Sequence, residues 1–277
     1  MITVLRALLA LALLSCTAAS GQAPAYSAAG IVNATDFSAG PFAPNSVVSI
    51  FGSDLTYSNA PASAAPGVSP PLQLGGVAVY VDNRAAPLLY ASDTQINFLI
   101  PSDEISGAVP VRVVRQSLTG PTISITLADA APCLFPDANQ YVLAVDWNAN
   151  NALITPDAPA HPGDTVVLYA TGLGHTQPNL APGVVPATAA QIQNPASFSL
   201  LLNGTAIDPT FVKYVGLTPG WVGLYQVNFI LPGNVPSDPE IRVAVGTQTS
   251  TSGLKLAVAP PTQASTTQGK LNAVPAR

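Results

Sequence analysis

Apolar residues in this chain alternate with polar or small ones over short runs, and proline, glycine and asparagine break each run before it reaches the length of a helix. Val77, Val79 and Val81 alternate with Ala78 and Tyr80; Ile96, Phe98 and Ile100 alternate with Gln95, Asn97 and Leu99. A period of two sends successive side chains to opposite faces of a strand, so each run predicts one core-facing row and one outer row. Beyond the first twenty residues no window of helical length keeps a 3.6-residue apolar period, and 28 prolines punctuate the chain. The pattern predicts strands and turns throughout.

The strands come in two sets. Gln95-Ile96-Asn97-Phe98-Leu99-Ile100-Pro101 returns as Gln226-Val227-Asn228-Phe229-Ile230-Leu231-Pro232, and other landmarks repeat in the same order around it. Pro44 leads the run Val47-Val48-Ser49-Ile50-Phe51-Gly52 as Pro162 leads Thr165-Val166-Val167-Leu168-Tyr169-Ala170. Ala65-Pro66-Gly67-Val68 answers to Ala181-Pro182-Gly183-Val184, both inside Ala/Pro-rich connections expected to be loops. The alternation ending in Asp82-Asn83 answers to the one ending in Asn203-Gly204, and Asn-Gly tolerates the positive φ that a type I′ hairpin turn demands. Repeated short strands separated by turn signals predict an all-β protein of two tandem immunoglobulin-like β-sandwich domains, residues 24–132 and 133–258. The Cys–Trp–Cys pattern of antibody domains is missing, which narrows the subtype and not the class.

Within the heptapeptides, Gln95 and Asn97, like Gln226 and Asn228, fall on the face away from the core. Two roles are open to these amides: a ligand platform, or partners that tie down neighbouring backbone groups and fix strand register. The copies differ between Tyr214 and Gln226, where residues 216–223 are inserted relative to the direct run from Tyr90 to Gln95. The insert carries Trp221 among glycines. Either its ring stands out as a binding surface, or it folds back over the open end of the sandwich or the interdomain contact, as large apolar rings usually do.

Residues 1–20 read as an export signal, with Arg6 as the positive n-region, an apolar run from Ala7 to Leu14, and the small residues Ala18 and Ser20 before the cleavage point. A second reading takes Leu13-Leu14-Ser15-Cys16 as a lipobox, with Cys16 the lipidated residue and the protein anchored at the outer membrane. Either way an exported protein, extracellular or periplasmic, is expected, with no membrane span in the mature chain. Residues 259–277 are Pro/Thr/Gln-rich and are expected to be a disordered tail.

Charged residues make up 8% of the chain against about 25% in ordinary proteins, and the formal charge is −5. Arginine and lysine are scattered singly, so no basic stripe is available to displace counterions and nucleic acid is excluded as a partner. Cys133 reads as a small buried residue. His161 and His175 are the only histidines, and no Gly-x-Ser-x-Gly, His-Glu-x-x-His or Cys-x-x-Cys spacing occurs. Glu104 and Glu240 occupy matching places in the two copies and would stand too far apart for a catalytic carboxylate pair. Asp146-Trp147-Asn148-Ala149-Asn150-Asn151 echoes a calcium loop but lacks its Gly and bidentate Glu, so a hairpin turn is the simpler reading. No catalytic residue, cofactor or metal site is expected.

Ile31-Val32-Asn33-Ala34, Val48-Ser49-Ile50-Phe51-Gly52, Pro87-Leu88-Leu89-Tyr90, Thr94-Gln95-Ile96-Asn97, Tyr169-Ala170-Thr171-Gly172-Leu173-Gly174 and Gly223-Leu224-Tyr225-Gln226-Val227-Asn228 together resemble the uncharacterised C-terminal domain family abundant in Acidobacteria, especially Solibacter. The resemblance runs over roughly residues 29 to 258 and implies an IPT/TIG-like sandwich serving as a bacterial extracytoplasmic accessory module. The family usually carries Gly after Ala-Pro where this chain has Cys133, which makes the turn geometry there a point to test. The resulting expectation is a non-enzymatic surface or periplasmic adhesion module whose partner is an extracellular polysaccharide or another surface protein. Its alternatives are a carbohydrate-binding module that stacks sugars on Trp221 and a ligand-free spacer of the envelope. The candidate ligand-binding positions are Trp221, Tyr57 and His175.

Overall fold

The computed structural model describes residues 21–260. The export signal with Cys16, and all but the start of the expected tail, lie outside the described residues. The first half of the chain forms β1 (Ala25–Asn33), β2 (Val47–Ser53), β3 (Ala60–Pro61), β4 (Val77–Val81), β5 (Arg84–Ala85), β6 (Leu88–Ala91), β7 (Gln95–Leu99), β8 (Gly107–Arg115) and β9 (Leu118–Leu127). One sheet has the order β1-β2-β7-β6-β3 and the other β5-β4-β8-β9. Alternation decides which faces meet. Val48, Ile50, Ile96 and Phe98 point from the first sheet onto Val77, Val79, Val81, Val111 and Val113 of the second, and all are fully buried. Each such side chain contributes about 1.5–3 kcal/mol of burial.

The second half forms β10 (Cys133–Leu134), β11 (Ala144–Asp146), β12 (Ala152–Leu153), β13 (Thr165–Thr171), β14 (Thr176–Gln177), β15 (Ala190–Ile192), β16 (Phe198–Leu202), β17 (Thr205–Ala206), β18 (Val212–Leu217), β19 (Tyr225–Ile230), β20 (Ile241–Val245) and β21 (Gln248–Thr249). Its larger sheet runs β12-β11-β13-β19-β18-β15-β14, with β10 also on β13, and its smaller sheet runs β17-β16-β20-β21. Leu168, Val227 and Phe229 meet Leu200, Ile241 and Val243 in a second core. All pairings between these strands are antiparallel, and the only helical turns among the described residues are two short 3-10 segments. The protein is all-β, in sandwiched antiparallel sheets, and among the described residues no helix is long and apolar enough to cross a membrane.

Several of the repeated sequence landmarks take matching places in the sheets. The heptapeptides are β7 and β19, each central in its sheet. Both hairpin turns have their positive φ, 45° and 63° at Asp82 and Asn83, 48° and 76° at Asn203 and Gly204. One duplicated device was not anticipated: β6 against β7 shifts register between Leu88 and Tyr90, and β18 against β19 shifts between Val212 and Tyr214. In each case an extra residue turns the tyrosine outward, where strict alternation from the preceding core residue would have buried it.

The two Ala-Pro-Gly-Val loops find each other. Each closes its own turn, Val68 N–H donating to Ala65 O and Val184 N–H to Ala181 O, both at 3.0 Å. Across the halves Gly67 N–H donates to Val185 O at 2.9 Å and Val185 N–H returns the bond to Val68 O at 3.0 Å. Beside this pair, Ser102 Oγ donates to Leu180 O at 2.9 Å and Asn45 Nδ2 to Tyr225 Oη at 3.3 Å. Tyr225 is fully buried, which pushes its phenol pKa up, and its hydroxyl donates to Gly174 O.

Candidate functional site

The inserted segment is shorter as a loop than the sequence suggested. Gly216 and Leu217 extend β18, because Gly216 pairs with Gln226 and Leu217 with Tyr225, so the free part is residues 218–224. This tip is held at several points. Thr218 N–H donates to Leu224 O at 2.8 Å, Trp221 N–H to Thr218 O at 3.2 Å, Gly220 N–H to Pro186 O at 2.7 Å, and Thr171 Oγ1 to Gly223 O at 3.1 Å. Gly223 has φ +66°, and a Cβ there would stand 2.7 Å from Leu99 Cδ1 and 2.8 Å from Val47 Cγ2 of the first half. The base of the loop is therefore packed between the halves. The ring of Trp221 is not: it is 64% exposed, which overturns the reading in which it covers the sandwich end or the contact between the halves. Gly223 takes that place between the halves, and the indole is left standing on a fixed backbone.

His175 follows Gly174 at the end of the β13 segment and lines a cleft of ≈ 720 Å³ between the halves. Leu127, Ala130, Leu173, Ile192 and Val245 supply its apolar surface, while Ser106, Asp129, His175, Gln193, Asn194 and Gln248 supply polar groups. Both serines in the lining are engaged elsewhere: Ser106 Oγ donates to Asp129 Oδ1 at 2.5 Å and Ser197 Oγ to Asn194 O at 2.7 Å.

Tyr57 belongs to a different place. It follows the far end of β2, whose near end, Val47, touches the Trp221 loop; the strand puts about 20 Å between them. Its ring is 54% exposed and lies under the guanidinium of Arg115, 4.1 Å from the ring centroid. Arg115 is itself buried, donating to Gln22 O, and gains from the ring what water no longer gives it. The structure thus gives Tyr57 a local packing role and does not bring it together with Trp221. The cleft of His175 does not include Trp221 either.

The heptapeptide amides bond to each other and not to backbone. Gln95 Nε2 donates to Asn97 Oδ1 at 2.8 Å, which also accepts from Ser49 Oγ at 2.9 Å; Gln226 Nε2 donates to Asn228 Oδ1 at 3.2 Å. All four amide side chains are half-buried. Asp146 begins a hairpin, its Oδ1 accepting from Asn148 N–H at 2.9 Å, and the turn joins β11 to β12. Cys133 is buried, with its thiol pKa pushed up by desolvation, and it needs no positive φ, so the departure from Gly is accommodated.

No protein-family model matches the sequence, and no curated protein matches it. Solved structures with some likeness include the surface glycan-binding protein PbSGBP-B of Prevotella bryantii, at 13% identity and TM-score 0.26 over 82% of this chain and 41% of that one. A gamma-CGTase of alkalophilic Bacillus clarkii gives 16% identity and TM-score 0.27 over 88% and 27%. SGBP-B from a complex xyloglucan utilization locus in Bacteroides uniformis gives 10% identity and TM-score 0.25 over 85% and 49%. The chain spans less than half the length of each of these proteins, and at such TM-scores the likeness carries no argument about function.

Proposed function

We propose that this chain is a non-catalytic, exported carbohydrate-binding module in which Trp221 is a stacking platform for a sugar ring. The observation that carries the reading is the 64% exposure of an indole on a loop anchored by hydrogen bonds to Pro186 and Thr171 and by contact with Leu99 and Val47. An aromatic ring presented on a fixed backbone binds without first paying to order its loop, which favours recognition of flat apolar sugar faces. A ligand-free spacer gains nothing from keeping so large a ring in water. The serines of the cleft, each already donating to another acceptor, lack the imidazole partner of an activated nucleophile, which supports the non-catalytic reading. Low charge fits a neutral ligand better than a charged surface partner. A glycan array probed with the wild type and with Trp221→Ala tests it: retention on a defined glycan class, lost in the variant, is expected. Absence of retention on every glycan, or equal retention of the variant, would remove the tip as a sugar site.

A further inference from the structure

The outer face of the larger second-half sheet carries an ordered row that the tip alone does not explain. Register places Tyr169 of β13 opposite Gln226 of β19, Gln226 opposite Gly216 of β18, and Gly216 opposite Gln191 of β15. The gap at Gly216 is filled from within its own strand. Tyr214, turned outward by the bulge, donates its hydroxyl to Leu217 O at 2.8 Å, and the Tyr214 hydroxyl oxygen stands 2.5 Å from where a Gly216 Cβ would be. The phenol ring therefore runs along β18 across the glycine. Across the four strands the row reads tyrosine, amide, tyrosine, amide. The two rings are about 10 Å apart, two strand spacings.

None of these side chains is charged, and the Tyr214 hydroxyl is already satisfied, which leaves its ring face as the feature offered to a ligand. Among the described residues, the hydrogen bond from Gln226 Nε2 to Asn228 Oδ1 leaves Gln226 Oε1 and Asn228 Nδ2, an acceptor and a donor, to solvent. The first half has the matching residues Phe51, Gln95 and Tyr90 but not the row. There Phe37 packs on Phe51, with centroids 5.9 Å apart, and Ser92, which stands where Gly216 does and donates its N–H to Gln95 O at 2.7 Å, has no strand residue paired beyond it, because β3 pairs only with Tyr90 and Ala91. The row exists because β15 pairs beyond β18 at Gly216, and it is the last outward row before the loop that carries Trp221.

We propose that this face is a glycan track: an extended, uncharged polysaccharide lies across β13, β19, β18 and β15, stacking on Tyr169 and Tyr214 and hydrogen-bonding to Gln226 and Gln191. The proposal rests on the carbohydrate-binding reading above and extends it from one ring to a chain-length site. Native affinity electrophoresis of the full chain through gels containing hydroxyethylcellulose, glucomannan or polygalacturonate tests it, with Trp221→Ala, Tyr169→Ala, Tyr214→Ala and Gln191→Ala beside the wild type. Gln191 is exposed on a short strand, so its truncation reports binding and not folding. Retardation by a neutral polysaccharide, weakened about tenfold in affinity by each row variant, is the expected result. Retardation lost only in Trp221→Ala overturns the track and leaves the tip reading intact. Retardation by polygalacturonate alone overturns the neutral-ligand assignment. No retardation in any gel overturns both readings, and concentration-dependent self-association abolished by the row variants, without glycan binding, makes the face a contact between copies instead.

Discussion

Residue identity was legible where the backbone made a local demand. Asn203-Gly204 was readable as a hairpin turn because positive φ leaves few choices. Trp221 was not, since whether a ring is buried depends on what the rest of the loop covers, and here Gly223 occupies the place between the halves that a large ring could have filled. That gives a sharp expectation for Gly223→Ala. The new methyl would sit at φ +66° and within 3 Å of Leu99 Cδ1 and Val47 Cγ2, so strain and overlap act together. Urea unfolding should show a loss of about 2–4 kcal/mol, and glycan retention should fall with it because the Trp221 backbone moves. A stability equal to that of the wild type would mean that the loop base is not packed as described.

Among elements, the central strands were the easiest to find and their outer faces the hardest to interpret. Period-two alternation located β7 and β19 with the correct core residues, yet it could not show that Tyr90 and Tyr214 face outward, because one extra residue in β6 and β18 reverses the parity. Short elements that lack a pattern depend on individual side chains. The two-residue β5 is tied to the turn after β7 by Arg84, whose guanidinium holds Asp103 in a bidentate pair at 2.5 and 3.0 Å and also reaches the buried Glu104. Asp103 has a depressed pKa in the folded chain, chiefly from this hydrogen bonding. A depressed carboxylate contributes stability above its unfolded pKa of about 3.9 and loses it as pH falls through the folded value. Arg84→Gln should therefore lower the urea midpoint near neutral pH, modestly for so exposed a pair, and the two midpoints should converge as pH falls below about 3.9. A difference that persists unchanged in acid would assign the effect of Arg84 to packing and not to its charge.

At the scale of the whole molecule, the sequence pattern predicts two similar units and nothing of how the halves meet, since alternation reports which face is covered and not by what. Leu99 illustrates the gap. It lies on the outer row with Gln95 and Asn97, yet it is only 1% exposed, and the position of a Gly223 Cβ lies 2.7 Å from its Cδ1. It belongs to neither core cluster, so its burial serves the contact between the halves. The paired turns at Gly67 and Val185 and the bond from Asn45 to Tyr225 reinforce the same contact. With the contact intact the chain should unfold in one calorimetric transition, because neither half can open without exposing the other's covered surface. Leu99→Asp places a charge in that contact while leaving every core residue in place, and an unpaired buried charge is among the costliest substitutions. Calorimetry of this variant should resolve two transitions, each with the far-ultraviolet signature of a β-sheet. A single transition displaced to lower temperature would mean that the contact does not govern cooperativity, and that Leu99 acts through the stability of its own sheet.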